Sequence, residues 1–262
     1  MESIIIKNLQ KIREKVPLVH SITNYVVMNN TANALLALGA SPLMAHAHSE
    51  IEDIVQLSGS LVVNIGTLDE YWTESMKMAA AHAHKIKKTW VLDPVGAGAS
   101  PYRDAVLKEL LQFEPDAIRG NASEIMALAN TNLQSKGVDS MHKSSEALQS
   151  ALLLAQQNQT VVCISGAVDF ITDGQKTIQI ENGSPLMAKV TGMGCTATAI
   201  IGACISVSEN TMEGVVAAMA IMAIAGEMAA EKAGAPGTFQ VEFYNALYNI
   251  TEGDIRNKLK IQ

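Results

Sequence analysis

The stretch Lys189-Val190-Thr191-Gly192-Met193-Gly194-Cys195-Thr196 combines residue types and spacing that bear directly on chemistry. Two glycines let the backbone turn tightly and come close to a ligand. The run behind them, Thr196 to Val207, is small and apolar enough to form a buried helix. A glycine turn that opens a helix aims free backbone N–H groups and the positive end of the helix dipole at one point. That arrangement suits phosphate or a developing negative charge. Cys195 stands at the same point, where the field favours a thiolate. The stretch therefore reads as a site for group transfer. The duller reading is a tight turn before a core helix, with Cys195 a small buried residue.

Other polar residues follow short apolar runs. Leu92 precedes Asp93-Pro94-Val95-Gly96-Ala97-Gly98-Ala99, Ile118 precedes Arg119-Gly120-Asn121-Ala122-Ser123-Glu124, and Ile164 precedes Ser165-Gly166. Carboxylates such as Asp93 and Glu124 can hold Mg²⁺ directly or through water, the metal then neutralising phosphate charge. Alternatively, Asp93 caps the turn at Pro94 and Glu124 is an acid in a first helical turn. Arg119 suits bidentate binding of phosphate oxygens, or else a surface ion pair. His46 and His48 have HxH spacing without a third ligand nearby in sequence, and His82 and His84 are expected on a solvated helix. No GxxxxGK[ST] motif, protein-kinase signature or GxSxG elbow occurs. The Gly-x-Gly-x-x-Ala pattern from Gly192 lacks the following strand and acid that a dinucleotide fingerprint needs.

The elements that must position these residues alternate. Strands are predicted at Leu18–Ile22, Leu61–Ile65, Thr89–Leu92, Ala117–Arg119 and Thr160–Ile164. Helices are predicted at Tyr25–Leu38, Tyr71–Lys87, Arg103–Leu111, Ala122–Asn130 and Ser144–Gln157. This βα alternation implies an α/β fold, a mainly parallel central sheet with helices on both faces. Ligands in such sheets bind beyond the carboxyl ends of the strands, where the polar residues above fall. Asp173-Gly174 between β-rich segments predicts an antiparallel hairpin flanking the sheet. After Cys195 the chain is expected to be almost wholly helical, apart from a Gly234–Gly237 loop. The polar stretch Ser135–Ser145 reads as a surface loop. With no repeat or linker, residues 1–262 read as one domain.

Composition narrows the function classes. The net charge of −7 argues against a nucleic-acid partner. Cys163, Cys195 and Cys204 form an odd set without a CxxC pair, unlike a disulfide framework or zinc site. The charged N-terminus does not read as a signal peptide, and the apolar stretches after residue 190 are broken by Thr, Ser, Gly and three acids. The expectation is a soluble cytoplasmic protein with no membrane partner.

Together the motifs resemble those of the hydroxyethylthiazole kinases, a family of the ribokinase-like superfamily. The matching segments are Leu18–Asn24, Gly39–Met44, Asn64–Leu68, Asp93–Ala99, Ile118–Ile125, Val190–Cys195 and Gly237–Phe239, in family order along almost the whole chain. The resemblance implies a ribokinase-like three-layer fold and ATP-dependent phosphorylation of the hydroxyl of 4-methyl-5-(2-hydroxyethyl)thiazole in thiamine salvage. It implies Mg²⁺ as cofactor and a homotrimer with thiazole sites at subunit interfaces. By position it makes Met44 and Gly192 thiazole contacts, Arg119 and Ser165 ATP contacts, and Asp93 and Glu124 the metal-side acids. Cys195 takes the catalytic position, as a modest base or as a group that orients the hydroxyl. Two departures stand out. Met193 replaces a smaller Ala or Thr, which crowds the turn without removing its backbone N–H groups. Ser165 replaces the more usual Thr and keeps the hydroxyl. The competing readings are a kinase for another small alcohol (hydroxymethylpyrimidine or a sugar), an ATP-binding regulator without turnover, and a cysteine hydrolase built on Cys195.

Overall fold

Within Ser60–Asn64 the side chains of Leu61 and Val63 join one apolar cluster and Val62 joins another. Trp90 and Leu92 divide from Val91 in the same way. Successive side chains of a strand point to opposite faces, so strands apolar on both sides must lie between two layers of helices. The computed structural model, which describes residues 1–132 and 143–262, has this architecture.

Eight strands form one sheet: β1 (Leu18–Ile22), β2 (Ser41–Leu43), β3 (Ser60–Asn64), β4 (Trp90–Asp93), β5 (Ala117–Asn121), β6 (Val161–Ser165), β7 (Asp169–Thr172) and β8 (Thr177–Ile180). Their order is β2-β1-β3-β4-β5-β6-β7-β8. The first six are parallel, and β7 and β8 are antiparallel additions at one edge. The predicted hairpin is this β7–β8 ribbon.

Helices α1 (Glu2–Lys15) and α2 (Met28–Leu38) cover one face. Helices α3 (Ile51–Leu57), α4 (Glu70–Ile86), α5 (Pro101–Leu111), α6 (Ala122–Asn132) and α7 (Lys143–Asn158) cover the other. The first face is completed by α8 (Met193–Ile205), α9 (Thr211–Lys232), α10 (Pro236–Asn249) and α11 (Glu252–Lys258). On length and composition α9 is apolar enough to cross a bilayer. It is nevertheless buried without interruption from Gly214 to Gly226, as a core helix.

The five predicted parallel strands and five predicted helices are present, β1 with the predicted bounds and the rest with shifted ends. Sequence reading missed β2, α1 and α3. It also began α2 too early: residues 25–27 form a turn, closed by the Val27 N–H donating to Asn24 O at 3.2 Å, and the helix starts at Met28. The expected Gly234–Gly237 loop is shorter, since Pro236 already opens α10. Most of the Ser135–Ser145 stretch, up to residue 142, lies outside the described residues. His84 is exposed and near Glu114, but His82 is not solvated: its side chain is 12% exposed and Nδ1 lies 3.3 Å from Glu52.

α8 sits on the middle of the sheet by virtue of Gly202. A Cβ there would lie 2.6 Å from Val62 Cγ2 and 3.2 Å from Val19 Cγ1, while Ser60 Oγ donates to Gly202 O at 2.8 Å. Gly202→Ala is therefore expected to lower stability by about 1–3 kcal/mol through overpacking. Urea unfolding would read this as a lower midpoint at constant slope; an unchanged midpoint would contradict such close packing.

Candidate active site at the start of helix α8

Gly192 caps α8 with φ of 82°, a conformation that suits glycine, and a Cβ there would come within 2.7 Å of Val27 Cγ1. The helix begins earlier than the predicted Thr196, so Cys195 lies in its first turn. Thr196 N is the first amide bonded back, to Gly192 O at 2.8 Å. The N–H groups of Met193, Gly194 and Cys195 find no acceptor among the described residues. The turn thus presents three unused donors at the positive end of a thirteen-residue helix.

Arg119 reaches this turn from β5. Its Nη2 donates to Ser165 Oγ, and Ser165 stands across the strand pair at the end of β6. A Cβ on Gly194 would lie 2.5 Å from Arg119 Nη1, so only glycine admits the guanidinium at this point. Among the described residues no carboxylate lies within 4.0 Å of Arg119. Its Nε is buried without a partner. The surface-ion-pair reading of Arg119 therefore fails, and an anion would complete the group.

Arg119, Ser165, Gly192 and Gly194 line one part of a cavity of about 710 Å³. Asp169, to which sequence reading gave no role, belongs to the same wall and accepts the Gly166 N–H at 2.9 Å. Burial raises its carboxyl to about 6, and Arg119 draws it back down. The cavity also has an apolar part made by Met187, Val190, Met219, Met222 and Ala223. One charged corner and one apolar slot in such a volume suit a ligand with an anionic tail and a flat apolar body.

Asp93 closes β4 beside the cavity and is fully buried. Its Oδ2 accepts from Asn64 Nδ2 at 2.7 Å and Thr198 Oγ1 at 2.8 Å, whereas Oδ1 has no partner. Burial raises this carboxyl to about 6, opposed chiefly by the Arg119 charge, while Glu124 adds to the rise. Asp93 is thus ionised at neutral pH at a cost that a nearby cation would relieve. Glu124 Oε2 accepts the Asn121 N–H at 2.8 Å and Oε1 accepts the Gly96 N–H at 3.0 Å. It is both a first-turn acid of α6 and a link between the loops after β4 and β5.

A polar chain runs from Asp93 to the thiol. Asn24 Nδ2 donates to Asn64 Oδ1 at 2.8 Å and to Cys195 Sγ at 3.5 Å. The expectation that the helix start favours a thiolate is corrected here. Burial, followed by the Asp93 charge, pushes the Cys195 thiol up to about 11, against hydrogen bonds from Asn64 and Asn24. A rise from 9.0 to about 11 corresponds to roughly 3 kcal/mol against the charged form. A helix start supplies about 0.3–1 kcal/mol, at most about 2. Burial wins and the thiol stays protonated.

Met44 follows β2 at the same carboxyl end of the sheet but outside the cavity, four strand positions from Arg119. His46 and His48 do not form a metal pair: His46 packs on Trp72 with ring centroids 4.6 Å apart, and His48 stacks on Tyr71 at 3.9 Å. No group of three potential ligands occurs among the described residues. Sequence reasoning also gave no role to Asn24, Asn64, Thr198 or Arg103. Arg103 binds the carbonyls of Val95 and Gly66, each at 2.9 Å, and so ties together the loops after β4 and β3. For Asn24 and Asn64 a signal existed, since both end or follow apolar strands as Asp93 does.

The sheet order and the helix-start site define a class. A ribokinase-like superfamily protein from Enterococcus faecalis V583 shares the fold, with a TM-score of 0.65 at 14% identity over 94% of each chain. The fold is ribokinase-like. Hydroxyethylthiazole kinase from Pyrococcus horikoshii OT3 superposes with a TM-score of 0.92 at 43% identity, covering 99% of this chain and 98% of that one. Hydroxyethylthiazole kinase from Leptospira biflexa is 50% identical over 255 residues, 97% of this chain and 96% of the relative. A sequence model of the hydroxyethylthiazole kinase family matches residues 9–253. The chain belongs to the hydroxyethylthiazole kinase family.

The raised thiol yields a prediction. Iodoacetamide should modify Cys195 slowly at pH 7–9, the rate climbing towards about pH 11 as the thiolate forms. Peptide mass analysis over time would follow it. Rapid modification at pH 7 would contradict the partly buried, protonated thiol.

Proposed function

We propose that this protein transfers the γ-phosphoryl group of ATP to the hydroxyl of 4-methyl-5-(2-hydroxyethyl)thiazole, forming the thiazole phosphate and ADP in thiamine salvage. Family membership supports the substrate pair. The observation that carries the phosphoryl-transfer reading is Arg119, unpaired against the open amides of α8. The apolar slot of Met219, Met222 and Ala223 takes the nucleotide base, and Arg119 with Ser165 contacts the phosphates. Gly192 and Met44 contact the thiazole.

Phosphoryl transfer needs mainly positioning and charge stabilisation. The N–H groups of Met193, Gly194 and Cys195 face the transferring oxygens, and Arg119 spreads its charge over them. Cys195 keeps its own hydrogen and so orients the alcohol, with Sγ accepting from the substrate hydroxyl. The alcohol oxygen bonds to phosphorus as the bond to the ADP oxygen breaks. The hydroxyl proton leaves late, to a phosphoryl oxygen, which suits a site without a strong base.

Mg²⁺ fits this site because Asp93 Oδ1 is a buried carboxylate oxygen without a partner among the described residues. Magnesium takes most of its ligands from water and phosphate, so one or two carboxylates suffice. Asp93 and Glu124 would hold it, and when bound it supplies positive charge against the phosphates. The need is electrostatic, because Asp93 feels the charge of Glu124 as well as that of Arg119.

The active form in this reading is a homotrimer with sites at subunit interfaces, each subunit a single kinase domain of residues 1–262. Tyr25 and Val26, 58% and 61% exposed, adjoin the Asn24 that touches Cys195, so an apolar surface lies beside the site. Its location is the cytoplasm, and no membrane or nucleic acid takes part.

ADP release with Mg-ATP tests the reading, using hydroxyethylthiazole against hydroxymethylpyrimidine and ribose. Turnover is expected with the thiazole alone, and Arg119→Gln should cut kcat/KM by about 10²–10³-fold. Equal turnover of another alcohol would overturn the substrate, and ATP binding without ADP release would indicate a regulator.

A further inference from the structure

His20 is a fully buried titratable side chain that phosphoryl transfer leaves unused. It lies in β1, where it pairs in parallel register with Leu43 of the edge strand β2. Its Nε2 lies 2.7 Å from Ala45 O. A carbonyl oxygen only accepts, so Nε2 carries the hydrogen and donates it. Burial also lowers the imidazole below its ordinary pKa, keeping the ring neutral, and Nδ1 has no donor among the described residues.

Met44 lies between these two anchors. Leu43 before it is held by strand register to His20, and Ala45 after it is held by the His20 ring. Outside these contacts β2 offers little support, being three residues long at the edge of the sheet. The chain beyond Ala45 runs into an ordered wall. His46 O accepts from Ser75 Oγ at 2.7 Å, and the His46 ring packs on Trp72. Trp72 meets Tyr25 at 4.5 Å, and the neighbouring Asn24 donates to Cys195 Sγ. The Met44 segment and the thiol are thus joined by contiguous packing along the carboxyl ends of β1 and β2.

We propose that His20 is a positioning residue for the alcohol substrate, holding Ala45 so that Met44 is aimed at the substrate ring. The proposal rests on the reading of Met44 as a thiazole contact. It assigns His20 to recognition of the acceptor and gives it no part in nucleotide binding, because Arg119 and Ser165 lie on β5 and β6.

Steady-state kinetics of His20→Leu and His20→Gln would test it, beside wild-type turnover of the thiazole. His20→Leu should raise the KM for hydroxyethylthiazole about tenfold with the KM for ATP within about twofold. His20→Gln, which retains an N–H for Ala45 O, should recover most of the loss. An unchanged thiazole KM in His20→Leu, or equal rises in both KM values, would overturn the role. Nitrogen-edited NMR of the wild type gives a second readout that does not depend on a variant folding. The His20 Nε2–H resonance should shift on adding hydroxyethylthiazole alone and stay unmoved on adding ATP. A resonance indifferent to a thiazole that the enzyme phosphorylates would reject His20 while leaving the substrate assignment standing. Failure of the wild type to turn over the thiazole would instead remove the reading beneath it.

Discussion

Arg119 holds a positive charge half-buried, with Nε unpartnered and no carboxylate within 4.0 Å among the described residues. Water-excluded charges are costly unless paired, and Ser165 with the longer-range fields of Asp93 and Asp169 offsets part of that cost. It is pre-set for an anion. The open amides of Met193, Gly194 and Cys195 lie at the same turn, which Gly194 lets the guanidinium approach. Preorganisation of this kind is what electrostatic catalysis requires.

The fold delivers that geometry by register and close approach. β5 and β6 pair so that Asn121 faces Ser165, which brings Ser165 within reach of Arg119. α8 can lie low on β1 and β3 because Gly202 has no side chain, and its first turn can meet Arg119 because Gly194 has none. Asn64, in register with Asp93, turns its amide to the carboxylate and its carbonyl to Asn24. Asp93 and the Cys195 thiol therefore belong to one hydrogen-bonded unit. Asp93 bears a cost in this arrangement, seen in its carboxyl lifted to about 6, and a cation on its free oxygen would offset it.

Much of this was legible in the residues. Apolar runs ending in Asp93, Arg119 and Ser165 located the carboxyl edge of the sheet, and Asp173-Gly174 located its antiparallel margin. The glycine turn before α8 announced a helix start with open amides. What escaped has a common cause, tertiary context. β2 is three residues long and exists by pairing with β1. Before α2 the chain makes a separate turn at residues 25–27, closed by the Val27 N–H on Asn24 O, which the apolar pattern does not distinguish from a first helical turn. Cys195 looked activated because the helix field acts locally, whereas the burial that opposes it comes from distant strands. Asn24 and Asn64 stand at strand ends as Asp93 does, but the hydrogen bonds that join them form only when β1, β3 and β4 lie side by side.

The central claim is that Arg119 and the α8 amides form one prebuilt phosphate site, and Gly194 is where the two meet. Affinities of Gly194→Ala for ATP and for adenosine, measured by calorimetry, test it most directly. The added methyl must displace the guanidinium, so ATP binding should weaken at least about tenfold with adenosine binding unchanged. ATP affinity equal to that of the wild type would contradict the account.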